Sequence, residues 1–137
     1  MWLRPVAALA NLIACAVAAL IVEPVLQNVG IVKPKAGYLQ GLRELADKHG
    51  FILIFDEVKT GFRHALGGYA SIARVKPDLM VLGKAMANGH PISALGGKKQ
   101  LMDYFVHPDP SKCVLWQAPI MLIPLPLLPR SPQSSDC

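Results

Sequence analysis

The sequence predicts an α/β fold built on a mostly parallel sheet with crossover helices. Residues 51–55 (FILIF) and Leu79–Leu82 (LMVL) are short apolar runs of the kind that form strands buried on both faces. Residues 38–49 repeat apolar side chains at three- and four-residue spacing, which predicts a helix directly before the first of these runs. Helix and strand therefore alternate along the chain, as in βαβ units with right-handed crossovers.

The elements follow one another in chain order. Residues 19–22 (ALIV) predict a strand that Pro24 stops, because proline has no N–H for a sheet ladder. The helix of residues 38–49 ends before Gly50 and is expected to point Arg43 and its charged neighbours toward solvent. The remaining elements are a short helix, a short strand broken by Gly96-Gly97 and a last helix, predicted over residues 69–73, 92–95 and 98–105.

A carboxylate and an amine stand at the ends of two predicted strands. Asp56 follows the run 51–55, and Lys84 follows Leu79–Leu82 after one glycine. If these strands are parallel, both groups reach the carboxyl edge of the sheet, where open α/β sheets bind ligands. A lysine forms a Schiff base with an aldehyde and a carboxylate keeps a pyridinium nitrogen protonated, and these are the two protein groups that pyridoxal phosphate needs. On spacing alone, a strand-end cap and a solvated loop lysine are the commoner explanation.

Two longer segments carry a more specific signal, FDEVKTGFR at 55–63 and KPDLMVLGKAMANGHPISALGG at 76–97. Their order is an apolar strand, Asp-Glu-Val, Gly-Phe-Arg, Pro-Asp-Leu, a short strand and Gly-Lys. This order resembles the class III pyridoxal-phosphate-dependent aminotransferases, and most of all their glutamate-1-semialdehyde 2,1-aminomutase branch. The resemblance covers residues 18–115 and implies part of the large domain of a fold-type I PLP-transferase.

The resemblance implies a binding site for pyridoxal 5′-phosphate. It makes Lys84 the catalytic residue, which binds the cofactor and shuttles a proton after it is released. It also makes Asp56 the partner of the pyridinium nitrogen, and Val58 the side chain that packs on one face of the cofactor ring. Most of the family's phosphate-binding cradle falls outside the matching residues, so we expect little or no activity from this chain alone.

Three polar residues are weaker candidates for substrate contacts. By resemblance, Arg63 either binds a substrate carboxylate or forms a structural salt bridge. Gln27 and Asn28 follow the strand of residues 19–22 and either line the pocket or belong to an ordinary polar loop. Lys59 departs from the Gln or Met that many family members carry at this position, which leaves the substrate preference open.

Length, charge and cysteine content exclude several classes of protein. The 137 residues suffice for one domain, but members of the family are much longer, so the chain resembles a fragment. The net charge of +5 comes from scattered basic residues rather than a cluster with aromatic side chains, which argues against nucleic-acid binding. Three widely spaced cysteines show neither metal-ligand spacing nor a disulfide framework, so we predict no metal and expect a reducing, cytoplasmic location.

Both ends of the chain depart from the family pattern. Residues 1–17 are mostly apolar and are interpreted as a truncated or artificial start, with a signal peptide, a lipid anchor or a buried helix as alternatives. This stretch is slightly short for a membrane span and Asn11 interrupts it, so we do not expect a membrane protein. Residues 116–137 are rich in proline and are interpreted as a non-family tail, with a partner-binding segment as the alternative.

The predicted function is pyridoxal-phosphate-dependent transfer of an amino group between small-molecule donors and acceptors. The part of the family that clamps the substrate lies outside the matching residues, so the sequence does not separate a transaminase from an aminomutase. Full-length relatives are expected to be homodimers. The alternative is a catalytically inactive α/β fragment or interaction piece, which would not bind the cofactor.

Overall fold

The computed structural model of the chain describes residues 17–114, which contain four strands, three α-helices and two 3-10 turns. The strands are β1 (Ala19–Val22), β2 (Ile52–Asp56), β3 (Leu79–Leu82) and β4 (Ala94–Gly97). The helices are α1 (Tyr38–His49), α2 (Gly68–Ala73) and α3 (Lys99–Met102), and the 3-10 turns span Asp103–Phe105 and Pro110–Lys112.

The strands form one sheet in the order β1-β2-β3-β4. Strands β1, β2 and β3 are parallel, with Leu20 opposite Leu53 and Phe55 opposite Met80, whereas β4 returns antiparallel beside β3. The connection from β1 to β2 contains α1, and the connection from β2 to β3 contains α2. The predicted α/β fold with a mostly parallel sheet and crossover helices is therefore confirmed, and the carboxyl ends of three neighbouring strands lie along one edge.

Helix α1 packs one apolar face on this sheet. Leu39, Leu42 and Ala46 are buried, as their spacing predicts for one side of a helix. The helix ends at Gly50, whose φ of 74° is left-handed and whose N–H donates to the Ala46 carbonyl at 2.8 Å. His49 lies in the last turn, where a basic side chain complements the helix dipole.

The core lies on one face of the sheet. Leu53 and Phe55 of β2 are fully buried against α1 and α2, whereas Ile52 and Ile54 on the other face are half-buried. Ile21, which pairs with Ile54, is 60% exposed. The expectation that β2 is buried on both faces is therefore wrong for this chain, because the helices described within residues 17–114 cover a single face.

The boundaries of the last two elements differ from the prediction. The strand expected over residues 92–95 is β4 at Ala94–Gly97, and the Gly-Gly pair lies inside it. Gly97 pairs with Leu79, and the Lys98 N–H then donates to the Asp78 carbonyl at 2.9 Å, so the backbone ladder continues through the glycines. The helix expected over 98–105 divides into α3 and the 3-10 turn Asp103–Phe105.

Arg43 does not point into solvent as predicted. Its guanidinium donates to the Asp78 carboxylate at 2.9 Å, and Lys98 pairs with the other Asp78 oxygen at 2.5 Å. The same carboxylate accepts the Leu53 N–H at 2.7 Å, and Asp78 is only 4% exposed. This ion cluster, in which Asp78 is buried and Lys98 is exposed, joins α1, β2 and the residue after β4 around the start of β3.

The predictions for residues 1–16 and 116–137 lie outside the described residues, and the three-part division of the chain stays a prediction. Residues 17–114 contain no helix long and apolar enough to cross a membrane.

Candidate active site

Strands β2 and β3 bring Asp56 and Lys84 to the same edge of the sheet. Asp56 is the last residue of β2 and lies opposite Val81 of β3. The Glu57 N–H donates to the Val81 carbonyl at 2.9 Å, so the two strands stay paired one residue beyond Asp56. Lys84 follows Val81 by three residues. Since neighbouring strands are about 4.8 Å apart, the predicted acid and amine leave adjacent strand ends on one side of the sheet.

Lys84 begins a tight turn directly after β3. Its φ of 42° lies in the left-handed region. For a residue with a Cβ, this conformation costs about 1–2 kcal/mol. The Lys84 carbonyl accepts the N–H groups of Ala87 at 3.0 Å and Asn88 at 3.1 Å, and these bonds hold the turn in place. The side chain is exposed, and its ammonium forms no hydrogen bond or ion pair with another described residue. Backbone strain at a chemically available amine is typical of a functional position.

Asp56 keeps part of its carboxylate available. Oδ1 accepts the Val58 N–H at 3.1 Å, and Oδ2 has no hydrogen-bond partner among residues 17–114. Val58 leans across to β3, because a Cβ built on Gly83 would lie 3.4 Å from a Val58 methyl group. The Val58 side chain therefore lies beside Gly83, the residue that precedes Lys84.

Glu57 anchors the loop that follows β2. Its carboxylate is fully buried and accepts the N–H groups of Tyr69 and Ala70, each at 2.7 Å, and the Thr60 hydroxyl at 2.8 Å. The contact of Glu57 with the first turn of α2 was not predicted from the sequence. Because three donors converge on one carboxylate, the backbone that carries Asp56 and Val58 is fixed to the helix behind it.

Gln27 and Asn28 contact the same loop from the β1 side. The Lys59 ammonium donates to Asn28 Oδ1, and Gln27 Nε2 lies 3.3 Å from His64 Nε2. The two polar residues therefore lie beside the loop that follows Asp56, and their contact with a substrate stays a prediction. His64 is exposed and also packs edge-on against Tyr69, with ring centroids 5.5 Å apart.

Arg63 lies on the surface of this loop. Its N–H donates to the Thr60 carbonyl at 3.2 Å, but its exposed guanidinium pairs with no carboxylate within residues 17–114. The structural salt bridge that was one explanation for Arg63 is therefore not formed with a described residue.

The residues at this edge fit pyridoxal phosphate in their chemistry. Asp56 offers a carboxylate oxygen without a partner in the described part, and Lys84 offers an exposed amine one strand away. Val58 supplies a half-buried apolar surface between them.

Within residues 17–114, no group of three or more His, Cys, Asp or Glu side chains could hold a metal ion.

Two long-range contacts were not predicted from the sequence, one beside the candidate site and one at the opposite edge of the sheet. The bond between Lys59 and Asn28 joins loops that are 31 residues apart, and nothing in the spacing indicates it. The pair of Arg43 and Asp78 joins residues that are 35 apart along the chain. A signal was available for this pair, because an aspartate directly before a buried strand requires a partner once the strand is covered.

Comparisons with known proteins agree with this architecture. The family model for Aminotransferase class-III matches residues 1–124, a range that extends beyond the segment 18–115 at both ends. A glutamate-1-semialdehyde 2,1-aminomutase from Syntrophomonas wolfei is 51% identical over 87 residues, which are 64% of this chain and 20% of that protein.

Two solved structures have the same fold over most of this chain. An omega-transaminase from Sphaerobacter thermophilus is 33% identical with a TM-score of 0.70, and the match covers 80% of this chain and 24% of that one. A glutamate-1-semialdehyde-aminomutase variant from Pseudomonas aeruginosa, in complex with PMP, is 31% identical with a TM-score of 0.67, covering 86% and 25%.

The sequence match covers only part of each relative. The chain spans about a fifth of the length of the curated relatives it matches. Within that extent, the family model, the sequence identity and the fold all point to the same group. The chain belongs to the class III aminotransferase family and has the fold of part of a fold-type I, pyridoxal-phosphate-dependent enzyme, with glutamate-1-semialdehyde 2,1-aminomutases among its relatives.

Proposed function

We propose that this chain supplies the cofactor-binding edge of a pyridoxal-phosphate-dependent enzyme that transfers amino groups. One observation carries the proposal: Asp56 ends β2, Lys84 follows the neighbouring parallel strand β3 by two residues, and both therefore lie at the carboxyl edge of the sheet. The edge pairs an acid that can hold a ring nitrogen with an amine that can bind an aldehyde.

Each residue has a distinct task. Pyridoxal phosphate, when bound, supplies a reactive aldehyde and a pyridinium ring that accepts negative charge. Lys84 would bind the cofactor through Nζ and, once released, accept and return a proton through the same atom. Asp56 would hold the proton on the ring nitrogen, because an adjacent carboxylate favours the protonated, cationic ring. Val58 would contact one face of the ring and exclude water from that side.

The expected ligands and setting follow from the family. The substrates are small-molecule amino donors and acceptors, and either a transaminase or an aminomutase is compatible with the residues present. A second copy of the full-length chain is the expected protein partner. We propose a cytoplasmic location, which the scattered cysteines support.

Cofactor binding is the direct test, because the chain spans only a fifth of its relatives and we expect low turnover from it alone. The purified chain is mixed with pyridoxal phosphate, passed through a gel-filtration column, and examined for a visible absorbance band. The same measurement is made on Lys84→Ala and on Lys48→Ala. Lys48 is an exposed lysine at the end of α1, so its variant controls for reaction of the aldehyde with surface amines.

The outcomes distinguish a cofactor-binding chain from an inactive α/β fragment. A band that survives the column in the parent chain and in Lys48→Ala, but is lost in Lys84→Ala, supports the proposal. A band of equal strength in Lys84→Ala, or no band in any protein, overturns it and favours an inactive α/β fragment.

A further inference from the structure

A groove lies along β3 and β4, separate from the candidate active site. It has a volume of about 710 Å³, and Leu79, Met80 and Leu82 supply apolar side chains to its lining. Gly96 lies opposite Met80 and leaves open space, because a Cβ built on it would meet no atom within 4 Å. Among residues 17–114, neither α1 nor α2 contributes a lining residue. The helices that cover β2 therefore leave part of β3 and β4 without a covering element.

The charges that line the groove are mostly paired. Three lysines line it, but Lys98 pairs with Asp78 at 2.5 Å and Lys99 pairs with Asp103 at 2.6 Å. Lys76 is exposed, and its ammonium has no carboxylate partner in the described part of the chain. An ammonium donates hydrogen bonds and accepts none. The groove therefore favours a neutral, apolar occupant that offers hydrogen-bond acceptors to its rim.

Residues 120–128 have the matching chemistry. They read IMLIPLPLL, with two prolines and no charged side chain. Proline lacks an N–H and disfavours both helix and central strand, so this sequence favours an extended polyproline conformation, whose backbone carbonyls remain free to accept. Nine consecutive apolar residues gain free energy when they leave water. A proline-rich segment also loses little conformational entropy when it binds in a groove.

The described part of the chain ends close to the groove. The Val114 N–H donates to the carbonyl of Tyr104, which follows α3, and the first residue of α3, Lys99, lines the groove. The five-residue step from Lys99 to Tyr104 spans about 8–10 Å in helix and 3-10 turn. Residues 115–119 span about 16 Å when extended. The segment that begins at residue 120 can therefore reach the groove.

We propose that residues 120–128 of this chain bind in the groove along β3 and β4 and cover its apolar side chains, with Lys76 donating to their backbone carbonyls. This inference goes beyond the proposed function, because the groove is separate from the candidate active site. Residues 1–16 are also mostly apolar, but they lead into β1, at the edge of the sheet opposite β4. They are therefore the less suitable occupant.

Methyl NMR of the full chain tests the contact directly, because Met80 lines the groove and Met121 belongs to residues 120–128. The methyl groups of methionine and leucine are isotopically labelled, and Met80→Leu and Met121→Leu assign the two methionine signals. Nuclear Overhauser effects (NOEs) are expected from the Met121 methyl group to those of Leu79, Met80 or Leu82. A sample that mixes labelled and unlabelled chains distinguishes contacts within one chain from contacts between copies.

Two further variants test whether apolar burial holds the segment. Leu125→Asp places a charge among residues 120–128 and is expected to abolish the NOEs, because a carboxylate resists transfer into an apolar groove. Amide signals from α1 and β2 should stay unchanged, which shows that the fold is intact. Ser131→Asp adds the same charge outside the segment and is expected to preserve the NOEs.

NOEs that are lost in Leu125→Asp and kept in Ser131→Asp support the inference. The inference is overturned if the Met121 methyl group shows no NOE to the groove, or shows NOEs to Ile21 and Ile54 on the other face of the sheet instead. NOEs that appear only between copies also overturn it, because a second chain is then the occupant. NOEs that persist in Leu125→Asp overturn it as well, because apolar burial then does not hold the segment.

Discussion

The Glu57 carboxylate fills the space beside the Cα of Gly68. A Cβ built on Gly68 would lie 2.5 Å from Glu57 Oε2 and 2.6 Å from its Cδ, which is closer than a Cβ atom approaches another heavy atom in folded proteins. The contact arises because Glu57 accepts the N–H groups of the two residues that follow Gly68. The loop that carries Val58 and Lys59 is thereby fixed to helix α2, so the position of the candidate site depends on the fully buried Glu57.

Gly68→Ala is expected to destabilise the chain by about 3 kcal/mol. The left-handed φ of +67° costs a residue with a Cβ about 1–2 kcal/mol, and the overlap with Glu57 adds a similar amount. Urea denaturation followed by circular dichroism measures the change. Gly89→Ala is the matched control, because Gly89 has a φ of +93° but no atom within 4 Å of a Cβ. Equal losses in the two variants would show that the Glu57 contact is unimportant.

The two glycines of β4 are expected to respond in opposite directions. A Cβ on Gly97 would overlap the Asp78 carbonyl oxygen and lie 2.7 Å from Leu79 Cδ2, whereas a Cβ on Gly96 meets nothing within 4 Å. Gly97→Ala should therefore separate β4 from β3 and cost about 2–3 kcal/mol. Gly96→Ala should stabilise the chain by about 0.5 kcal/mol, because it restricts the unfolded state. Thermal unfolding of both variants checks the difference, and a more stable Gly97→Ala would contradict it.

The positions of Asp56 and Lys84 in the sheet were predicted better than the ends of the last strand and the last helix. Asp56 and Lys84 were placed correctly because parallel neighbours necessarily share a carboxyl edge, and this inference needs only strand positions. The Gly96-Gly97 pair was interpreted as a strand breaker, since propensity does not reveal that Asp78 leaves no room for a side chain at Gly97. Arg43 was assigned to solvent because helical periodicity defines faces but does not show which charge the next strand brings. Long-range contacts of this kind are set by tertiary structure.

The left-handed backbone of Lys84 gives a prediction that does not depend on catalysis. Lys84→Gly and Lys84→Ala both remove the amine, but only glycine adopts a φ of 42° without strain. The glycine variant is therefore expected to be more stable than the alanine variant by about 1 kcal/mol in chemical denaturation. At Lys48, within α1, the order should be reversed, because alanine is favoured over glycine in a helix by about 1 kcal/mol. The same order at both positions would refute strain at Lys84.

The buried cluster around Asp78 links stability to pH. Burial raises the pKa of this carboxyl group, but the hydrogen bonds from Lys98, Leu53 and Arg43, together with the Arg43 charge, outweigh burial and hold the pKa below its ordinary value. A carboxyl group with a lowered pKa in the folded state binds its proton less readily there than in the unfolded chain. Its contribution to the free energy of unfolding is therefore complete above the unfolded pKa of about 3.9 and is lost as the pH falls through the lower folded value.

Asp78→Asn is expected to lower the free energy of unfolding by about 3 kcal/mol at pH 7, because it leaves Arg43 and Lys98 without their shared carboxylate. Between pH 7 and pH 5 the difference from the parent chain should stay constant, since the carboxylate remains ionised in both states. Below about pH 4 the two curves should converge, because the unfolded parent chain then binds a proton that the folded chain binds only at lower pH. Urea denaturation across this pH range measures both curves.

Asp103→Asn is the control, because Asp103 pairs with Lys99 on the surface, where an ion pair contributes little. A difference that persists unchanged to pH 2 would show that the Asp78 charge does not stabilise the fold.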